Sequence, residues 1–477
     1  MAKTEKRVHF IGICGVAMSA VASALWEKGY KVSGSDAGFF PPVSTHLDKL
    51  GIPYYSGWHT EKMISKEFGG TPDFVIVGNA VGSTNPEFLY VQKNKIPYKS
   101  YPEAISEFII KPQSIVCAGT YGKTTSSALL SHIFKHAGKN PSFMFGGLTI
   151  DSEPAAEIGS GDWSIVEGDE YSAAKWDKLA KFFHYKPTQL LLTSVKWDHA
   201  DLYPTEKSYI EAFHNLISNI PAKGNIVYCA DQADIKTLLK ASKLPHENLV
   251  SYGKSKHSAY RYENIDQTPA GIKFDIIYHG KTYNIQSPIM GAYNAENITG
   301  CFAMAHIVGI APGEISDGIK TFSGMKRRLE KRYENKITVI DDIAHSPEKA
   351  KSVLANLRSI YSGLIVAVYE PNIGNRTPQS KPAYKDAFKD ADTVIIPRLS
   401  KLKIDAQNPE KTFDGSELAD LIKGNHKDTH YLDDDSKVIE LITTGRIDGD
   451  VIVFLGSHGF RGMIEETIKK LALYGTK

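Results

Sequence analysis

Lys123 is the residue with the most chemistry arranged around it. It stands in the run Gly119-Thr120-Tyr121-Gly122-Lys123-Thr124-Thr125, directly after an apolar stretch, Ser114 to Ala118, that reads as a short buried strand. Beyond it Leu129, Leu130, Ile133 and Phe134 recur at helical spacing, and Gly138 closes the run. Strand, glycine turn and helix make a phosphate cradle. Backbone N–H groups at the helix N-terminus converge on an anion, the lysine reaches the β- and γ-phosphates, and the Thr124 hydroxyl offers an oxygen to Mg²⁺. The same residues also fit a tight βα turn with a surface lysine, because Cys117 takes the place of the first glycine in the full nucleotide motif.

The residues that follow favour the nucleotide. Trp163 to Val166 reads as a strand that ends in Glu167, Asp169 and Glu170, which are hard oxygen ligands suited to a cation that also holds phosphate. Leu190 to Val195 is an apolar strand followed by Asp198-His199-Ala200-Asp201. His199 could ligate a second ion or orient a carboxylate; Asp198 as a helix N-cap beside a bystander histidine is the other reading. A nucleotide and Mg²⁺ are therefore expected at this edge. Asn294 and Asn297 lie three apart, so they share one helical face. Two amides so placed could read an adenine edge, or serve as a cap and a surface polar residue.

At the N-terminal end Val8 to Ile11 runs into Gly12-Ile-Cys-Gly15-Val-Ala-Met18-Ser19, a helix ends at Gly29, and a second strand stops at Gly34-Ser-Asp36. A glycine turn with an acid about twenty residues on is the pattern of a Rossmann-like nucleotide site, although Ala17 and Met18 fall where the third glycine would stand. A purely structural turn is the alternative. Asn79 follows another buried strand, Phe74 to Val77, at the edge where open α/β sheets bind ligands. A second nucleotide-type ligand is expected here, with no requirement that it be a redox cofactor.

In the last third Arg327 and Arg328 form a basic stretch, and a strand over Ile337 to Ile340 ends in Asp341-Asp342-Ile-Ala-His345. Two further strand ends are polar: Glu370 to Arg376, and Gly456-Ser457-His458-Gly459. No G-x-G-x-x-G occurs here, so a small polar substrate is expected.

Positioning these groups requires several doubly wound units. A chain of 477 residues exceeds one ordinary core, and the strand–helix alternation predicts an α/β protein of three domains. The expected divisions are 1–109, a Rossmann-like domain; 110–324, a P-loop domain with a parallel sheet plus a small antiparallel excursion over 255–288; and 325–477, a second Rossmann-like domain. The formal charge of +2 gives no electrostatic reason for nucleic-acid or membrane partners. No apolar run approaches the roughly 20 residues of a spanning helix, so a cytoplasmic protein is expected. Four scattered cysteines, Cys14, Cys117, Cys229 and Cys301, have neither a Cys-x-x-Cys pair nor zinc-finger spacing, and read as reduced core thiols.

In this order the motifs resemble the Mur ligase family along essentially the whole chain. Gly119 to Thr125 is similar to that family's ATP loop, Glu167 to Glu170 to its magnesium carboxylates, and Trp197-Asp-His199-x-Asp201 to its second-metal histidine. Tyr293-Asn294-x-x-Asn297 resembles its adenine-reading asparagines, and Arg328, Asp342 and His345 its C-terminal residues that reach ATP. The resemblance implies an ATP-dependent carbon–nitrogen ligase that forms ADP and an acyl-phosphate intermediate, with two Mg²⁺ ions on Thr124, Glu167, Glu170 and His199, and with Lys123, Glu167 and His199 as catalytic groups. It further implies UDP-N-acetylmuramate bound by Gly12, Gly15, Met18, Ser19, Asp36 and Asn79, and a peptide bound through Arg376, Ser457 and His458. Within the family the likeness is to members that join L-Ala-γ-D-Glu-meso-diaminopimelate to UDP-N-acetylmuramate in peptidoglycan recycling; addition of L-alanine alone is the alternative. Tyr121, Ser172, Ser194 and Asn372 depart from the family's usual residues.

Overall fold

The structure, a computed structural model, describes residues 6–41, 43–197, 202–240, 245–400 and 412–474. Its strands form three sheets. The first has five: β1 (Arg7–Ile11), β2 (Lys31–Asp36), β3 (Tyr54–Ser56), β4 (Phe74–Val77) and β5 (Tyr98–Ser100), in the order β3-β2-β1-β4-β5, all parallel. The second has ten: β6 (Gln113–Ala118), β7 (Ser142–Met144), β8 (Ala156–Glu157), β9 (Trp163–Gly168), β10 (Gln189–Leu192), β11 (Ile226–Cys229), β12 (Leu249–Gly253), β13 (Tyr260–Thr268), β14 (Gly271–Tyr278) and β15 (Lys281–Ser287). The third has six: β16 (Glu330–Glu334), β17 (Thr338–Asp342), β18 (Ile365–Glu370), β19 (Thr393–Pro397), β20 (Thr429–Leu432) and β21 (Val451–Gly456), ordered β16-β17-β21-β18-β19-β20.

Burial explains why the central strands read as unbroken apolar runs. Ile115 to Ala118 and Leu190 to Leu192 are wholly buried, as strands covered on both faces of a parallel sheet must be. β6 lies between β9 and β10 with Cys117 opposite Glu167 and Ala118 opposite both Gly168 and Leu192. That register brings the glycine turn after β6, the carboxylates after β9 and the segment after β10 to one sheet edge. The strands over 255–288 do not form a detached sheet. β13 pairs with β12 through Tyr252 and Gly253, so they extend the central sheet.

Two compact units are distinguished by their internal contacts. One comprises residues 1–265, 274–287 and 295–323; the other comprises 266–273, 288–294 and 324–477. In the second unit two apolar layers cover the sheet, one containing Leu354, Leu357 and Leu418, the other Phe454, Ile464 and Ile442. Glu370 and Gly456 end β18 and β21 side by side, and Asp342 pairs with Leu455 at the neighbouring end. Among the described residues no helix is long and apolar enough to cross a membrane.

Candidate active site

Lys123 opens the helix Lys123–His136, with Gly122 as its N-cap at φ +83°. A Cβ on Gly119, at φ +141°, would lie 2.3 Å from Thr193 Oγ1, and one on Gly122 would lie 2.4 Å from Asn297 Oδ1. The two glycines therefore serve both conformation and close approach. The turn is clamped from β10. Thr120 N–H donates to Ser194 O (3.0 Å), Tyr121 N–H to Ser194 Oγ (2.9 Å), and Thr193 Oγ1 to Tyr121 O (2.5 Å). Thr193 N–H makes the last ladder bond to β6, to Ala118 O, and beyond it Ser194 bonds the glycine turn instead, so β10 stops at Leu192, short of the expected Val195. Ser194, a departure from the family pattern, thus holds the backbone of Tyr121, itself another departure, whose ring is exposed.

Four of the expected groups meet at this edge. Lys123 Nζ lies 2.9 Å from Glu170 Oε2, 3.1 Å from Glu170 Oε1 and 2.6 Å from Gly119 O. Thr124 Oγ1 donates to Glu167 Oε1 at 2.8 Å, and Glu167 Oε2 accepts from Gly146 N–H at 2.6 Å. Glu170 is buried, so its pairing with Lys123 offsets the cost of taking its charge out of water. Asp169 turns away to Lys181, 2.5 Å distant. Burial alone would raise its carboxyl, but the Lys181 ammonium and the Tyr171 N–H hold it below the usual carboxylate range. Thr120 Oγ1 bonds to Lys196 O (2.8 Å) and Tyr209 OH (3.0 Å), while Thr125 sits half-buried in the first helical turn.

This donor set fits the expected ligands. The cradle is floored by glycines that a Cβ would obstruct, and the hydroxyl–carboxylate pair Thr124–Glu167 is the hard-oxygen chemistry Mg²⁺ takes. His199, with Asp198 and Asp201, lies outside the described residues. Asn297 is buried against Gly122, while Asn294 donates its amide to Met290 O at 2.6 Å.

In the five-stranded sheet Gly12, at φ +91°, and Gly15 shape the turn before the helix Val16–Glu27. Asp36 Oδ2 accepts from Cys14 N–H (2.8 Å) and Oδ1 from Ala37 N–H (2.7 Å), so this acid braces the turn itself. Met18 and Ser19 are buried, the latter donating to Val16 O, and Asn79 is exposed past the end of β4. Beneath the turn is a buried network that no sequence motif announces. Ser35, whose carbonyl accepts from Gly12 and Ile13 N–H, donates Oγ to Glu87 Oε2 (2.5 Å), and Tyr55 OH and His59 N–H donate to Glu87 Oε1 (2.6 and 2.7 Å). Burial alone would raise the Glu87 carboxyl; His9, Ser35 and Tyr55 outweigh it and hold it below the ordinary value.

In the second unit the expected residues divide into exposed and committed ones. Arg328 is exposed. Asp342 is buried and accepts from Leu329 and Ala344 N–H, each at 2.8 Å, and burial raises its carboxyl against those donors. His345 Nδ1 lies 2.8 Å from Ile343 O. Arg376 is buried, with Nε and Nη2 on Pro371 O (3.1 and 2.9 Å) and Nη1 on Ser400 O (3.0 Å). Its guanidinium is thus engaged by these two carbonyls, with Glu370 Oε1 3.6 Å away. The half-buried arginine beside Glu370 is Arg461: Nη1 lies 3.3 Å from Glu370 Oε2, and Nε and Nη2 each lie 2.9 Å from Asp435. Sequence reasoning missed it because it follows the polar run it serves by three residues. Ser457 Oγ and His458 Nδ1 lie 3.0 Å apart, and Arg327 donates to the carbonyls of Gly456, Ser457 and His458.

A glycine turn whose lysine pairs with a strand-end glutamate, in a chain that also carries two further mainly parallel sheets, fits a nucleotide-dependent ligase, and family models match the chain. Residues 7–111 match the Mur ligase family catalytic domain, 117–305 the Mur ligase middle domain, and 327–458 the Mur ligase glutamate ligase domain. The chain belongs to the Mur ligase family, ATP-dependent amide ligases that form ADP. It is 30% identical to the UDP-N-acetylmuramate–L-alanyl-γ-D-glutamyl-meso-2,6-diaminoheptandioate ligase of Escherichia coli, over 98% of each chain. It is also 30% identical to the UDP-N-acetylmuramate–L-alanine ligase of Brachyspira hyodysenteriae, over 98% of this chain and 99% of that one. Among solved structures, UDP-N-acetylmuramate–alanine ligase of Thermotoga maritima superposes with a TM-score of 0.79 at 23% identity, covering 99% of this chain and 100% of the other. Murein peptide ligase of Psychrobacter arcticus superposes with a TM-score of 0.68 at 24% identity, covering 98% of each.

Proposed function

We propose that this ligase joins the tripeptide L-Ala-γ-D-Glu-meso-diaminopimelate to UDP-N-acetylmuramate, as a cytoplasmic enzyme of peptidoglycan recycling. Domain 1–109 would hold the UDP-sugar at the Gly12–Gly15 turn, 110–324 the ATP, and 325–477 the peptide. The observation that carries the ligase chemistry is the pairing of Lys123 with Glu170 beside Thr124–Glu167 at the mouth of the glycine turn. The lactyl carboxylate attacks the γ-phosphorus of ATP, giving an acyl phosphate and ADP; the peptide amine then attacks the acyl carbon and phosphate leaves. A carboxylate is a poor electrophile, and phosphorylation supplies its leaving group. Lys123, freed from Glu170 by incoming phosphate, would hold that phosphate in line. Mg²⁺ held by Thr124 and Glu167, and a second ion at Glu170 and His199, would neutralise charge on the phosphates.

Two things support the tripeptide over L-alanine. Tripeptide ligases from Escherichia coli and Haemophilus influenzae, 30% and 29% identical, are among the relatives that match nearly the whole chain. Glu370 at the end of β18, Arg461 beyond β21 and Asp435 at the start of the helix after β20 come together, with Arg398 on Asp435 at 3.1 Å. Such alternating charge suits a substrate bearing several carboxylates and an ammonium better than one bearing a single carboxylate. Addition of L-alanine remains the second reading, because L-alanine ligases match equally long stretches at up to 30% identity. Comparing kcat/KM for tripeptide and L-alanine at saturating ATP and UDP-N-acetylmuramate tests the choice: preference for L-alanine rejects the tripeptide reading and leaves the ligase chemistry standing.

A further inference from the structure

On the central sheet, away from the Lys123 loop, three residues distant in sequence bring metal-ligating atoms together. Cys229 ends β11 and is buried, Asp231 follows two residues later and is exposed, and Glu296 lies half-buried in the first turn of the helix Tyr293–Ile307. The Cys229 sulfur and one carboxylate oxygen from each acid all lie within 4.8 Å of one another. Asp231 is held in place from behind: its oxygens accept from Lys254 N–H (2.7 Å) and Ser255 N–H (3.3 Å), leaving further lone pairs. Gly253 permits this, since a Cβ there would stand 2.8 Å from that carboxylate.

A separate observation points to an occupant. Tyr252 pairs in register with Cys229 across β11 and β12, so both side chains emerge on one face of the sheet. Its ring end packs on Gly300, one turn beyond Glu296 in the helix. Tyr252 is fully buried, its hydroxyl has no hydrogen-bond partner among the described residues, and Cys229 and Glu296 are among the titratable groups near it. A buried hydroxyl without a partner is costly, and a bound ion with its water would relieve that cost. Cys229 and Tyr262 hydrogen-bond Glu296, and Lys254 is a cation near that carboxylate.

We propose that Cys229, Asp231 and Glu296, backed by the Tyr252 hydroxyl, form a binding site for a zinc-type divalent ion. Zinc accepts sulfur and carboxylate oxygen together, whereas Mg²⁺ and Ca²⁺ avoid sulfur. Binding exchanges the thiol proton, released to solvent, for a metal–sulfur bond, so affinity rises with pH. The ion would join β11 to the helix whose Asn297 lies against Gly122.

The test uses the full-length chain, stripped with a chelator and titrated with Co²⁺ alone. A sulfur-to-cobalt charge-transfer band is expected to saturate at about one equivalent. The oxygen-only pair Thr124–Glu167 contributes no such band. Cys229→Ser should abolish it, Cys14→Ser should leave it intact, and Glu296→Gln, which keeps the thiol, should weaken Co²⁺ binding at least ~10-fold. Absence of the band in the wild type, or its persistence in Cys229→Ser, overturns the proposal. Should Cys229→Ser fail to fold, Glu296→Gln decides: unchanged Co²⁺ affinity rejects the site, and a loss of ~10-fold or more supports it.

Discussion

Lys123 enters the structure already paired, with Glu170 and the Gly119 carbonyl as its partners. Lys123→Ala should lower ADP formation at least ~10²-fold, since it removes a cation aimed at developing phosphate charge, and titration calorimetry should find UDP-N-acetylmuramate binding preserved. Because Glu170 would then be left buried without Lys123, the variant should also lose about 3 kcal/mol of stability, seen as a lowered Tm. Gly122→Ala places a Cβ against Asn297 at φ +83°; a cost of roughly 1–2 kcal/mol should appear as about a tenfold rise in KM for ATP. Glu87 gives a pH-dependent test. Its folded pKa lies below the ordinary 4.5, so the stability from its ionised form is complete above that pH and is lost as pH falls through the lowered value. Glu87→Gln should therefore lower Tm at pH 7.5, with the gap to wild type narrowing on acidification below 4.5; a gap that widens would refute this.

At the scale of elements, the strand ends decide the chemistry, and they are where sequence reading and structure differ by a residue or two. Glu167, Asp36, Asp342 and Glu370 were expected just beyond their strands, yet each lies within one. Charged side chains break an apolar run in the sequence, but at the open edge of a parallel sheet the backbone keeps its ladder while the carboxylate reaches loop N–H groups or partner side chains. The central strands Val8 to Ile11, Phe74 to Val77, Ser114 to Ala118 and Leu190 to Leu192 were legible because buried parallel strands are continuous apolar runs, whereas short strands such as Tyr54–Ser56 and Ile226–Cys229 were not. The Ser194 clamp, the Glu87 network and the Cys229 cluster were not, since each depends on contacts between residues tens of positions apart. Arg376 and Arg461 illustrate the same gap: one was legible as a cation near Glu370, but burial commits it to Pro371 and Ser400, leaving the half-exposed role to the other. Arg461→Ala should raise KM for the amine substrate about tenfold and leave KM for ATP unchanged, by steady-state phosphate release. Arg376→Ala should instead destabilise the fold by about 2 kcal/mol, because it leaves the buried Pro371 and Ser400 carbonyls without their guanidinium donors.

For the whole molecule, three Mur ligase domain models in sequence order explain why motifs weak on their own are specific together. The ATP loop identifies the energy source, and the outer sheets must identify what is joined. Under the proposed function, phosphoryl transfer from ATP at Lys123 is coupled to amide formation between UDP-N-acetylmuramate and a tripeptide. Phosphate release measured with ATP and UDP-N-acetylmuramate, with L-alanine, the tripeptide or no amine added, tests it most directly. The prediction is steady release with the tripeptide, at a kcat/KM well above that for L-alanine, and none without an amine. Release that proceeds equally with no amine, or that responds to L-alanine alone, would contradict it.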